Sequence, residues 1–178
     1  SSTPLWSSTV GEPVQSVAIS ADGEYIAVGT GGWGEDEVYL FGKDSSTPLW
    51  SYTTGGDVYS VAISADGEYI VAGGYDGEVY LFDKDNSTPL WSYTTGDSVY
   101  SVAISADGEY IAAGSDDYHI YLFDKDSSTP LWSYDSGDDV RSVAISADGE
   151  YIAASSYNKT YLFDKDNSTP LWSYDTGS

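Results

Sequence analysis

The chain has 178 residues and no cysteine, and its 29 Asp and Glu against six Lys and Arg give a formal charge of −23 at pH 7. The first fact excludes a disulfide framework and a thiolate metal site; the second repels phosphate backbones and anionic head groups, excluding nucleic acid and membrane insertion from the expected partners. With 17 Tyr and 40% apolar residues the acidity clothes a core instead of marking disorder, in a chain long enough to bury roughly 70% of its unfolded surface.

No apolar run approaches the ~20 residues of a spanning helix, and no basic-then-apolar leader is present. Without an initiator Met the chain reads as processed or as part of a longer polypeptide. Such an acidic surface suits extracellular or high-salt surroundings. The pentapeptide STPLW stands at Ser2–Trp6, Ser46–Trp50, Ser87–Trp91, Ser128–Trp132 and Ser168–Trp172, so successive tryptophans (6, 50, 91, 132, 172) lie 44, 41, 41 and 40 residues apart. That is the period of a propeller blade.

Each unit then carries four short apolar runs. In the second they are Val58–Ser64, Tyr69–Ala72, Val79–Phe82 and Leu90–Tyr93, all of strand length and none with helical spacing. The first two are joined through Asp-Gly at Asp22-Gly23, Asp66-Gly67, Asp107-Gly108 and Asp148-Gly149. Asp closes a turn on its own backbone and Gly accepts a positive φ, so each is a hairpin. Pro89 and its equivalents lack an amide donor, which places the LWSY run on the outer edge and SVAIS innermost. The expected fold is all-β, a β-propeller of four blades of ~41 residues, each four-stranded and antiparallel. The repeats run over 10–52, 53–93, 94–134 and 135–174 in a single domain, with 1–9 a surplus outer strand. The indoles of Trp50, Trp91 and Trp132 are expected to pack between sheets.

The string VYSVAISADGEYIAAGSDD…IYLFDKD, from Val99 to Asp126, resembles the blade signature of WD-repeat and YVTN-type surface-layer propellers. DKDSSTPLWSY, from Asp124 to Tyr134, is similar to the outer strand of quinoprotein-like propellers. The resemblance covers essentially the whole chain and implies a rigid interaction platform, extracellular in the YVTN case. Two departures count. Phe-Asp replaces Trp-Asp at Phe82-Asp83, Phe123-Asp124 and Phe163-Asp164, with Phe41-Gly42 in the first unit, and the Gly-His pair is missing; the His network of WD repeats cannot form. With so few basic groups, no quinone or other cofactor is carried over.

His119 is the only His and Arg141 the only Arg, so nucleophile and general-base constellations lack members and no catalytic residue is assigned. Asp83-x-Asp85-x-Ser87, with Asp124/Asp126 and Asp164/Asp166, has the first oxygens of a calcium loop but lacks its sixth-position Gly and terminal Glu. An Asx turn explains the same letters, and no metal site is assigned. Asn86, Asn158 and Asn167 head glycosylation sequons. The units diverge at the residue before the SV pair (Gln15, Tyr59, Tyr100, Arg141) and in the turn after the second strand, where Trp33, Tyr75, Asp116, Tyr118, His119 and Tyr157 stand. Both sets belong on one side of the disc. They form either a binding face for a protein or glycan or a set of drifted loops.

The leading expectation is a non-enzymatic, extracellular or cell-surface scaffold that binds other copies of itself; the runner-up is a ligand- or carbohydrate-binding propeller. The fourth unit already owns the outer strand around Leu171 and Trp172, so Pro4, Leu5 and Trp6 belong to an extra one. Four blades alone leave open faces. Two copies closing a ring of about eight blades, or exchange of terminal strands, would cover them. In either case residues 2–7 are expected on the edge of a sheet supplied by the last unit or by another chain.

Overall fold

A computed structural model describes residues 3–177. Among these residues sixteen strands form four antiparallel sheets, each in chain order from the axis outwards. Blade 1 holds β1 (Val14–Ile19), β2 (Tyr25–Thr30), β3 (Glu37–Gly42) and β4 (Trp50–Thr53). Blade 2 holds β5 (Val58–Ile63), β6 (Tyr69–Gly74), β7 (Glu78–Asp83) and β8 (Trp91–Thr94). Blade 3 holds β9 (Val99–Ile104), β10 (Tyr110–Ser115), β11 (His119–Asp124) and β12 (Trp132–Asp135). Blade 4 holds β13 (Val140–Ile145), β14 (Tyr151–Ser156), β15 (Lys159–Asp164) and β16 (Trp172–Asp175). This is the expected four-bladed β-propeller.

The hairpins form as the Asp-Gly letters require. Asp22 Oδ1 accepts the Ser20 hydroxyl at 2.6 Å and the Glu24 amide at 2.9 Å, and Gly23 takes φ 74. The other three turns repeat this. The Ser hydroxyls hold the carboxyls of Asp22, Asp107 and Asp148 below the usual carboxylate range, with the Glu amides adding to the effect.

Period-two alternation gives every sheet two apolar faces. The leading face of blade 1 (Ala18, Tyr25, Ala27, Val38, Leu40, Trp50, Tyr52) meets the trailing face of blade 2 (Val58, Val61, Ile63, Ile70, Ala72, Tyr80, Phe82). Equivalent residues join blade 2 to blade 3 and blade 3 to blade 4. Core therefore sits in three slabs between sheets, with Phe82, Phe123 and Phe163 fully enclosed. Each tryptophan of β4, β8 and β12 lies on the next blade's Phe at 5.2–5.3 Å between ring centroids and donates its indole N–H to a lysine carbonyl at 2.7–2.8 Å. They pack between sheets as expected, half-buried. The inner strands are less covered than the apolar SVAIS letters imply, because they line the axis and have a sheet on each side only within the arc.

Among the described residues no slab joins blade 4 to blade 1, and the arc is open. Val17 is 65% exposed where Val61, Val102 and Val143 are 6–7%, and β16 is exposed throughout. The surplus outer strand is present as a tryptophan without a ladder. Residues 4–10 belong to none of the strands of the described residues; of the two places expected for this segment, the sheet of the last unit is not taken, and the sheet of another chain stays open to it. Of this segment, the tryptophan finds a place on blade 1. Ser2, included in that expectation, lies outside the described residues.

Candidate functional site

The two divergent sets do meet at one end of the axis. Tyr59 stacks on Tyr100 with centroids 5.2 Å apart and planes 15° off parallel. The Arg141 guanidinium covers the Tyr100 ring at 4.3 Å and lies 3.5 Å from Asp116. Gln15 donates to the Gly31 carbonyl at 3.3 Å. Burial raises the Asp116 carboxyl above its ordinary value, against the pull of Arg141, and burial likewise raises the Tyr59 hydroxyl. The result is a short ladder of two rings and a cation beside carboxylates.

Other expected members stand apart from it. Trp33, Tyr75 and Tyr157 are exposed. Tyr118 is also exposed and bends the β10–β11 turn at φ 75. His119 is taken up by the Asp117 carbonyl at 2.9 Å and by the Tyr121 ring. Among the sequons, the Asn86 and Asn167 side chains accept the amides of Thr88 and Thr169 at 2.9 and 2.8 Å, while Asn158 gives its backbone carbonyl to Thr176. Asp83, Asp124 and Asp164 each accept the amide two residues on at 2.8–3.0 Å, which is the Asx turn, and Asp85, Asp126 and Asp166 face the preceding lysine. No group of three ligating side chains suited to a metal ion occurs among the described residues.

Sequence reasoning missed a pair of carboxylates that tie blades together. Asp76 Oδ2 accepts the Tyr80 hydroxyl at 2.8 Å and, from the preceding blade's loop, the Gly55 amide at 2.9 Å. Asp117 does the same with Tyr121 at 2.6 Å and Gly96 at 2.7 Å. Burial first, then the carboxylate, holds both tyrosine hydroxyls protonated beyond their ordinary range. The available signal was an Asp two residues before a strand whose third residue is Tyr. In blade 4 the residue four before Tyr161 is Tyr157, and Tyr161 turns to the Ser136 carbonyl.

The expected assembly residues do not meet each other. Leu171 and Trp172 are exposed on the leading edge of blade 4, and Leu5 is 95% exposed at the other end. Trp6 instead lies on Phe41 at 5.6 Å and donates to the Lys43 carbonyl at 2.6 Å. It thus occupies on blade 1 the seat that Trp50, Trp91 and Trp132 occupy on blades 2, 3 and 4.

A family model described as outer membrane protein assembly factor BamB matches residues 1–106 and again 76–178. The chain belongs to this family. Its repeat is the quinoprotein-type propeller blade, and the two overlapping matches reflect the internal repetition. No curated protein matches the sequence. Among solved structures, a chain of the "Crystal Structure of Mitotic Checkpoint Complex" superposes with a TM-score of 0.81 at 20% identity, over 93% of this chain and 54% of that one. The chain therefore spans about half the length of that propeller, and the likeness speaks for the fold alone.

Proposed function

We propose that this chain is a non-enzymatic scaffold of an extracellular or cell-surface setting, and that its primary partner is protein: further blades like its own. The observation that carries the reading is the open arc, with its apolar trailing face at Val14, Val17 and Ile19 and its leading face at Tyr151, Trp172 and Tyr174. Exposed apolar surface of this extent rimmed by polar groups marks an interaction site, and propellers of the WD and BamB types generally bind proteins. The residue content agrees with a non-enzymatic role, since the one histidine is spent on a turn. The test is the mass of the native particle by sedimentation velocity across micromolar to millimolar concentration. A concentration-dependent rise to a dimer or larger ring is the expected result; a monomer throughout overturns self-assembly.

A second reading is favoured by the Tyr59–Tyr100–Arg141 stack, which presents aromatic edges and a cation beside Asp116 and would suit a glycan or a peptide. Titration with a glycan panel, wild type against Tyr100→Ala, is its test. Equal or absent binding in both chains overturns it.

A further inference from the structure

Each of the three internal junctions repeats one set of contacts, and each set leaves one half at either end of the arc. A β-carbon on Gly67, Gly108 or Gly149 would lie 2.5 Å from the ring of Tyr25, Tyr69 or Tyr110 of the preceding blade, whereas one on Gly23 would meet nothing nearer than Ile19 at 4.0 Å. Tyr151, the fourth ring of that series, is 47% exposed. The amides of Ala21, Ala65 and Ala106 donate to the carbonyls of Ala65, Ala106 and Ala147 at 2.9–3.0 Å, which leaves the Ala147 amide at one end and the Ala21 carbonyl at the other. Likewise Val61, Val102 and Val143 amides donate to Ser16, Ser60 and Ser101 hydroxyls at 3.1 Å, leaving the Val17 amide and the Ser142 hydroxyl. Knob, socket, donor and acceptor at one end are the counterparts of those at the other.

Trp6 interrupts this match. It fills the seat on Phe41 and Lys43 that Trp172 of another blade 4 would take, but incompletely: Ser8 stands in the register position of Tyr52, and a cavity of ≈ 110 Å³ lies among Trp6, Ser8, Val10, Val17, Val28 and Phe41. At the internal junctions Tyr52 fills this place, with its ring 5.3 Å from Phe82.

We propose that the trailing face of blade 1 receives the leading face of blade 4 of a second copy, Tyr151 entering over Gly23 and Trp172 displacing Trp6. The occupant is a second copy because the open faces continue the junctions already present in the chain, Ser155 and Thr160 being the departures on the leading face. This rests on the self-assembly reading and adds its control: Trp6 is an intramolecular competitor for the junction. Displacing it loses one ring stack and one hydrogen bond, both of which Trp172 restores, while Tyr174 fills the cavity beside Ser8.

Two substitutions in the full chain test this by sedimentation velocity, with melting curves confirming that each variant is folded. Trp6→Ala is expected to tighten self-association about tenfold, the scale of a 1.4 kcal/mol competitor, and Trp172→Ala to weaken it by at least as much. The double variant Trp6→Ala/Trp172→Ala is expected to lose the gain. Wild type that assembles while Trp6→Ala assembles equally or less overturns the competition but leaves self-assembly standing. A double variant as tightly associated as Trp6→Ala overturns the role of Trp172. Wild type and Trp6→Ala both monomeric at every concentration overturn the assembly reading with it.

Discussion

The junction between blades 3 and 4 and the open ends of the arc are built from the same letters, yet one is core and the other is surface. At the junction Phe163 is fully buried beneath Trp132 and Tyr134; at the leading end Trp172 and Tyr174, the counterparts of those two rings, are 50% and 67% exposed. Burial in a repeat protein is thus a property of having a neighbour, not of the repeat's own sequence. The ends also carry small departures. Ser155 replaces Gly29, Gly73 and Gly114, and Thr160 replaces Val38, Val79 and Ile120; both sit on the leading face of blade 4. The two substitutions make this face more polar than the corresponding internal faces.

The largest expected difference between the two regions is in folding stability. Phe123→Ala, inside the junction of blades 2 and 3, should cost ~3–5 kcal/mol, because the cavity is enclosed by Trp91 and Tyr93. Trp172→Ala should change the folding free energy of the monomer by less than about 1 kcal/mol. Urea denaturation of both variants at a concentration below assembly measures the pair. Equal losses would mean that the ends are as enclosed as the junctions, contrary to the open arc.

Next in size is the glycine series. A β-carbon on Gly114 would lie 2.5 Å from Val140 Cγ1 of blade 4, and a valine cannot swing aside as a long side chain can. Gly114→Ala should therefore cost ~1–3 kcal/mol through overpacking. Ser155→Gly, at the matching position of the open face, should cost no more than about 1 kcal/mol of folding stability and should tighten association, since it admits Val14 of a second copy. A Ser155→Gly chain that associates less well than wild type would separate the end-to-end junction from the internal ones.

How much of this was legible follows from range. The hairpins and the period were readable because Asp66-Gly67 and the STPLW segments act within a few residues of themselves. The fifth STPLW was visible too, but its seat on Phe41 was not. That contact spans 35 positions, so counting strands suggested a ladder where the structure holds the indole. The ties of Asp76 and Asp117 were hidden for a similar reason. Each carboxylate serves a tyrosine four residues on and an amide 21 residues back, and only the first of these is local. The Tyr59–Tyr100–Arg141 ladder was foreseeable as a shared position, whereas the scattering of Trp33 and Tyr157 reflects loops of different length.

Salt should act on the two regions in opposite proportion. Copies carrying −23 each repel one another on approach, and salt screens that repulsion beyond a Debye length of about 10 Å at 0.1 M. Raising the salt from ~0.05 to ~0.5 M should strengthen association severalfold while moving the unfolding midpoint less, since the internal slabs are apolar. Sedimentation and melting in parallel salt series measure this. Association that weakens with salt would point to ion pairs at the interface in place of the apolar faces described.

The smallest effect concerns a carboxylate buried in the β2–β3 loop of blade 1, beside the segment that leads into blade 2. Asp36 is 8% exposed, and its Oδ1 has no hydrogen-bond partner. Burial first, then the neighbouring Asp57, raises its carboxyl above the ordinary value. A carboxyl whose folded-state pKa is raised opposes folding while it is ionised, and that opposition is relieved as pH falls through the raised value. Asp36→Asn is neutral at every pH and its amide can donate towards Asp57, so it should raise Tm at pH 7 by a few degrees at most. The gap should close as pH falls into the carboxylate range, where Asp36 itself takes up a proton. Asp148 has the opposite sign: the Ser146 hydroxyl and the Glu150 amide hold it below its ordinary value, so its contribution is present at neutral pH and is lost only as pH falls through the depressed value. Asp148→Asn should therefore lower Tm at pH 7, and the two variants should move in opposite directions in one melting series. A lower Tm for Asp36→Asn at pH 7 would mean that the ionised carboxylate is held by a partner in the folded chain, contrary to its unpaired Oδ1.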